Sequence, residues 1–523
     1  MIIIHEAKLK VGQLFIKLPP KLENRLHIPK GSVESVRILR ESLDARKKPE
    51  LYRVFSLEVE SSLSDEELLL ACRKASVKAE ISKPKEKTSF PLKKEGQSRP
   101  VVVGFGPCGM FAALTLAKMG LRPIVLERGF SMEKRIDAVE NFWNGGTLNP
   151  RGNVQFGEGG AGTFSDGKLT TGTKSPYREF VLNTFVDAGA SPDILYKQKP
   201  HIGTDVLRNV VVNIRKQIED LGGEVRFESQ MTRPVITDGK IKGIVLGNMD
   251  GDEPEIISCD KLILALGHSA RDSVRTLYDM GIKMEPKAFS MGVRIEHPQD
   301  LIDIAQYGAK HEDFGLDALG PGPADYKLNV RVSDGRGVYT FCMCPGGVVV
   351  NASSFARGVV TNGMSNSNRA SGRANSALLC DVRPDDFDDK GVLGGIAFQE
   401  RYEGLAFEAG GANYRLPKED IKSFVSEKSL LKTCLPDFVY DDLKEALPLL
   451  DKKLKGFADP SALMYGIESR SSSPVRILRD ESLQAEGLYG LYPAGEGAGY
   501  AGGIMSAACD GVRVAFKVAE DYE

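Results

Sequence analysis

Three hydrophobic patterns follow one another along the chain. In residues 1–80, Ala7–Leu18 and Tyr52–Glu60 alternate apolar and polar positions with period two, which predicts strands. Ser64, with Glu67 three positions on and an apolar run behind it, predicts a capped helix reaching about Ser76. The charged stretch 41–50 between the strand-like runs reads as a solvated loop. Residues 81–99 combine prolines and lysines with little apolar content and predict a linker. From residue 100 the pattern becomes α/β. A short all-apolar run, Val101–Val103, precedes a helical period over Met110–Met119, Gly120 supplies a stop, and Ile124–Leu126 is a second buried run. Asp205–Leu221 reads as an amphipathic helix closed by Gly222 and Gly223. Short strands follow at Glu224–Phe227, Pro234–Thr237 and Lys242–Leu246, with Asp238–Gly239 as a turn, before a buried strand at Leu262–Leu266. Residues 285–455 are a long mixed insertion, and 456–523 bring back the glycine-rich pattern at 487–503.

Composition alters this picture in two places. The chain holds 55 glycines in 523 residues with no collagen-like period, so the excess belongs to turns where backbone approaches something closely. The formal charge of −2 is unevenly spread: residues 1–99 carry a net +7 and the remainder −9. A basic module of this kind meets RNA, an acidic partner, or solvent alone. The balanced total argues against a disordered chain. The start is too short and too soon charged for a signal peptide, and Val101–Met119 is broken by glycines and a proline, so no membrane span is expected and the cytoplasm is the default compartment. Eight cysteines and six histidines show no metal-ligand spacing, so no metal site is expected.

The strongest chemical signal is Gly104-Phe105-Gly106-Pro107-Cys108-Gly109, set between an apolar strand and a helix. This is a dinucleotide-binding fingerprint in its required βαβ context. Gly104 allows the tight turn, Gly106 lets backbone approach a pyrophosphate, and Gly109 and Ala113 bring the helix close to the sheet. N–H groups at the helix start favour phosphate. Glu127, at the end of the second strand, is placed to accept hydrogen bonds from both ribose hydroxyls, and its charge disfavours a 2′-phosphate. Two later segments select FAD over NAD. Lys261–Gly267 is a buried strand ending in a glycine turn, as an FAD domain needs on returning to its sheet. Gly495-Glu496 followed by Gly502-Gly503-Ile504 is a third strand–turn–helix, which in flavoproteins brings a carboxylate to the ribityl chain or the pyrophosphate and a helix N-terminus to the flavin. Glu stands here where Asp is commoner.

A second glycine loop, 153–169, contains Gly157, Gly160, Gly162 and Thr163 and would lay backbone beside the isoalloxazine, aiming Lys168 or Asp166 at it. With Arg128 and Arg135 these segments make up the expected cofactor-binding set. Lys168, Asp166 and Tyr500 are candidates by position for proton transfer. Arg470 and Arg476, separated by hydroxyl residues, form a candidate clamp for an anionic substrate, or a surface pair meeting Asp480 and Glu481. Cys342 and Cys344 lie two apart on a predicted strand; a packed strand above the flavin is favoured there over a redox dithiol, since the spacing suits a disulfide poorly.

The stretches 153–169, 341–347, 472–476 and 493–504 resemble the signatures of a bacterial family of uncharacterised FAD-dependent dehydrogenases within the glutathione-reductase-like NAD(P)/FAD oxidoreductases. The resemblance covers nearly the whole chain. It implies an α/β fold: a three-layer Rossmann-type FAD domain built from separate segments (100–284 and 456–523), a mixed α+β cap inserted at 285–455, and a small N-terminal α+β domain at 1–80. The function expected is hydride transfer between flavin N5 and a small molecule or NAD(P)H, the latter a transient visitor because one nucleotide fingerprint is present. Two alternatives stand beside it: an RNA-modifying flavoenzyme recruited by residues 1–80, and a redox sensor that holds FAD without catalysis.

Overall fold

The computed structural model describes residues 1–83, 88–94, 98–247, 254–315 and 319–522. Residues 84–87 and 95–97 of the expected linker lie outside the described residues.

Five short strands form a parallel sheet in the order Leu491–Pro493, Leu262–Leu264, Val101–Val103, Ile124–Leu126 and Glu224–Arg226. All but the last are buried along their whole length, which is why they read as continuous apolar runs. Glu224–Arg226, expected among the antiparallel short strands, instead forms the edge of this sheet. Alternation of side chains divides the strands between two cores. Val102, Val125, Ile263 and Tyr492 face helices Pro107–Lys118, Thr204–Asp220 and Ile504–Ala519. Val101, Val103, Leu126 and Leu264 face a three-stranded antiparallel meander, Gln230–Thr237, Lys240–Gly247 and Glu255–Ser258. Its first turn has Asp238 at φ 49° and Gly239 at φ 71°, the left-handed pair that a two-residue hairpin requires. Helix, sheet and meander make three layers.

Helices Pro107–Lys118 and Ile504–Ala519 pack backbone to backbone. A Cβ on Gly511 would lie 2.1 Å from the Cys108 carbonyl oxygen, and one on Gly109 would lie 1.8 Å from that of Gly104.

A second sheet has the order Asn329–Arg331, Gly337–Pro345, Arg373–Val382, Phe289–Pro298, Leu463–Glu468 and Lys418–Asp420, with every pairing antiparallel. Helices Gly394–Ala409 and Asp437–Lys453 pack into its core. The boundary expected at 455 therefore moves: Leu463–Glu468 sits inside this sheet, between Phe289–Pro298 and Lys418–Asp420.

The N-terminal unit is a four-stranded sheet, Val33–Lys47, Glu50–Ser61, Ile2–Lys10 and Ala79–Ile81, with two helices. The expected strand Ala7–Leu18 is shorter at its far end. It turns at Gly12 (φ 83°), and Pro19 and Pro20 open the helix Leu18–Leu26, where a missing N–H costs nothing. The expected loop 41–50 is mostly strand: Asp44 takes both Lys8 and Arg46, and Arg53 pairs with Glu41, so both of these carboxylates are matched in ion pairs. The helix cap is as expected, Ser64 Oγ accepting from the Glu67 N–H while the Glu67 carboxylate accepts from the Ser64 N–H. This unit is docked. Leu51 belongs to the core of the second sheet, and the Glu41 backbone exchanges 2.8 Å hydrogen bonds with Tyr196 and Gln198.

Candidate active site

A cavity of about 480 Å³ opens where the carboxyl ends of the parallel strands meet the second sheet. One end is the fingerprint. Gly104, at φ 100°, makes the turn; a Cβ there would lie 2.3 Å from the Ala265 carbonyl oxygen. Gly106, Pro107 and Cys108 line the wall at a helix N-terminus that no side chain caps. Gly109 lies behind them, off the cavity, where it lets the helix meet the turn.

Glu127 lines the cavity and is nearly buried, but three backbone N–H groups already reach it: Phe105 at 2.9 Å, Gly129 at 2.8 Å and Gly157 at 3.0 Å. Its carboxylate ties the two glycine loops together and keeps acceptor capacity for a further donor from the cavity. Arg128 also lines the cavity, paired with Asp272 and stacked 4.3 Å over Phe156. Arg135 does not. It is fully buried and gives its guanidinium hydrogens to the carbonyls of Asn153, Val154, Glu158 and Gly160, so it staples the second glycine loop from behind.

That loop presses on the first: a Cβ on Gly160 would lie 2.9 Å from Gly106 Cα. Gly160 and Gly162 line the cavity, while Gly157 bonds to Glu127 and the Thr163 hydroxyl donates to the Glu158 carbonyl, both away from the wall. Lys168 reaches the cavity. Asp166 does not; it is buried in an ion pair with Arg369 at 2.7 Å.

The third segment gives the clearest sign of a ligand. Glu496 lines the cavity and has no hydrogen-bond partner among the described residues. Burial pushes its carboxyl up to about 7, with Lys287 pulling the other way. Around Gly267, Gly502 and Gly503, all on the same wall, a Cβ would meet nothing within 4 Å. Gly503 caps the helix Ile504–Ala519 without a side-chain bond, leaving its N-terminal N–H groups toward this space. An acceptor without a donor, an open helix start and a glycine-lined slot fit the hydroxyls and pyrophosphate of FAD. Gly495 stays behind the wall, its N–H on Asp510 at 2.8 Å. Tyr500 turns away: its hydroxyl donates to Ile477 and accepts from the Arg479 N–H, while Arg479 stacks 3.6 Å from the ring. It is therefore withdrawn from proton transfer.

The far wall comes from the second sheet and its neighbours, through Phe341, Cys342, Thr361, Asn362, Glu468 and Arg470. Arg470 and Arg476 are not brought together. Arg470 is buried, chelated by Glu403 and bonded to Ser269 and Ser354; Arg476 pairs with Glu285 outside the cavity. Neither meets Asp480 or Glu481, and the anion clamp is not formed. Arg271 shares Glu403 with Arg470, so two guanidiniums face one carboxylate. Burial opposes ionisation of Glu403, but the two arginines hold it well below the usual carboxylate range. His268, on the cavity wall beside them, is lowered to about 3 by burial and by both arginines, and stays neutral. Cys342 lies on the wall, as a strand above the flavin requires, whereas His268 and Glu468 are wall residues that the sequence patterns did not single out. His268 directly follows the glycine of the strand-end turn, a legible position; Glu468 carries no local signal.

A parallel sheet with a dinucleotide turn, a second glycine loop and a helix-start slot on one cavity defines a flavoprotein oxidoreductase that uses FAD. Residues 288–471 match the model of a family described as FAD-dependent protein, C-terminal domain-like, and residues 1–60 match a domain of unknown function. A protein of Clostridium beijerinckii, described as "Uncharacterized protein", is 45% identical over 97% of this chain and 96% of its own length. The chain belongs with it to one bacterial family of FAD-dependent proteins. Among solved structures, the glycerol-3-phosphate dehydrogenase from Bacillus halodurans complexed with FAD is 12% identical, with TM-score 0.38 over 81% of this chain and 65% of that one. Thermovibrio ammonificans THI4 is 16% identical, with TM-score 0.26 over 36% of this chain and 63% of that one. Among the described residues no helix is long and apolar enough to cross a membrane.

Proposed function

We propose that this protein moves a hydride between FAD and either NAD(P)H or a small-molecule substrate, with the exchange at the wall supplied by the second sheet. One observation carries the reading: a single cavity joins the fingerprint turn and the Glu496–Gly503 slot to the polar wall of Cys342, Glu468 and Arg470. Bound FAD supplies the hydride chemistry at its ring. The chain's own groups hold and bias it. Gly106 and Gly160 leave room for phosphate, and Glu496 accepts a ribityl hydroxyl. The start of helix Ile504–Ala519 favours negative charge nearby. Among the described residues one dinucleotide turn is present, so a nicotinamide nucleotide would visit the ring face rather than occupy a fold of its own.

The test is the absorption spectrum of freshly purified protein, followed anaerobically as NADH and then NADPH is added. Yellow protein bleached by one nucleotide supports the reading and names the donor. Yellow protein bleached by neither directs the search to a substrate that itself reduces the flavin. Colourless protein that takes up no added FAD overturns it.

A further inference from the structure

The strand Gly337–Pro345 is not regular where it meets the cavity. Its pairing with Arg373–Val382 slips between Phe341, opposite Ala377, and Cys344, opposite Asn375, which inserts a β-bulge. Cys342 sits in the bulge at φ 43°, a left-handed conformation costly for a residue with a Cβ. The bulge replaces the regular strand spacing that suits a disulfide poorly, and folds Cys344 back on its neighbour: its fully buried Sγ donates to the Cys342 carbonyl oxygen at 3.3 Å.

Their surroundings favour a thiolate. Arg294, fixed by Glu468 at 2.7 Å and Asn375 at 2.7 Å, places Nη1 3.8 Å from Cys344 Sγ. Lys168 lines the same cavity as Cys342 and makes no ion pair among the described residues. The hydrogen bond from Cys344, against the effect of burial, and then Lys168 and Arg294 hold the Cys342 thiol below the usual cysteine range; Asp166 opposes them weakly. Cys344 is held above it, chiefly by the same contact. Asn375, the register partner of Cys344, has a buried Nδ2 with no acceptor, a spare donor beside the pair. The other six cysteines are buried, with their thiols pushed up, by burial in each case.

We propose that Cys342 and Cys344 form a redox-active dithiol on the cavity wall, Cys342 the nucleophile and Cys344 the resolving thiol, and that it reduces low-molecular-weight disulfides. The Cys342 thiolate attacks one sulfur of the disulfide R–S–S–R. The S–S bond breaks, a Cys342–S–S–R bond forms, and RS⁻ leaves and takes a proton. Cys344, having lost its proton, attacks Cys342 Sγ, expels the second RS⁻, and closes a Cys342–Cys344 disulfide. Two electrons pass from the dithiol to R–S–S–R, which leaves as two thiols. The dithiol is restored by two electrons and two protons, with the reduced flavin as electron donor. This last step alone rests on the reading of the cavity given above.

Two measurements test it. The first treats the holoprotein, its thiols reduced and its flavin oxidised, with one equivalent of 5,5′-dithiobis(2-nitrobenzoate). Wild type releases two equivalents of thionitrobenzoate and yields a 342–344 disulfide on peptide mapping. Cys344→Ser stops at one equivalent with a mixed disulfide on Cys342, and Cys342→Ser slows the first release about tenfold, as loss of a thiolate nucleophile requires. A stable wild-type adduct, or a rate unchanged in Cys342→Ser, overturns the proposal and leaves the flavin reading untouched. The second is an anaerobic dithionite titration of the oxidised holoprotein. Four electrons per FAD in wild type and two in Cys342→Ser support the coupled centre; two in both overturns it.

Discussion

Glu496 shows how much one side chain can reveal. Its carboxyl rises from 4.5 to about 7 because burial penalises the charge. The folded value lies above the unfolded one, so folding favours the protonated form. That contribution is complete below about pH 4.5 and is lost as pH rises through about 7. Glu496→Gln apoprotein should therefore melt higher than wild type at pH 8, by about 1–2 kcal/mol after allowance for partial exposure, with the two converging near pH 5. The same variant should retain FAD about tenfold more weakly, read by equilibrium dialysis, because a hydroxyl loses a charged acceptor. Residue-scale legibility divides along this line. Gly104 and Gly160 were readable because a backbone requirement dictates residue type. The roles of Arg135 and Asp166 were not: one spends its donors on loop carbonyls, and the other answers an arginine 203 residues away.

Elements were legible where their pattern was local. The βαβ unit, the capped helix at Ser64 and the Asp238–Gly239 turn all follow from spacing over a few residues. The hairpin over 41–50 was hidden because Glu41 and Asp44 are answered from neighbouring strands, so that in sequence they look like solvated polarity. The bulge at Cys342 was hidden too, since register slips depend on the neighbouring strand. The contact between the fingerprint helix and the C-terminal helix yields a sharp test. Gly511→Ala puts a Cβ 2.1 Å from a backbone oxygen that cannot swing aside. It should cost about 3 kcal/mol in urea denaturation and weaken FAD retention, whereas the same change at Gly404, where a Cβ would meet nothing nearer than 3.8 Å, should do neither.

Across the whole molecule, the N-terminal unit is part of the body. Leu51 contributes to the second sheet's core, and Glu41 extends the hairpin onto Tyr196 and Gln198. Leu51→Asp, burying a charge without a partner, should split one calorimetric transition into two, with the weaker belonging to residues 1–80. The cavity itself is closed by segments from opposite ends of the chain: Gly104–Cys108, Gly160–Gly162 and Glu496–Ile504. A molecule bound across all three acts as a tie between distant stretches of polypeptide. The melting temperature should accordingly climb with free FAD, each tenfold excess over Kd adding about 1.4 kcal/mol. Ageing of the protein would then begin with escape of its pigment, and fading colour would precede any loss of solubility.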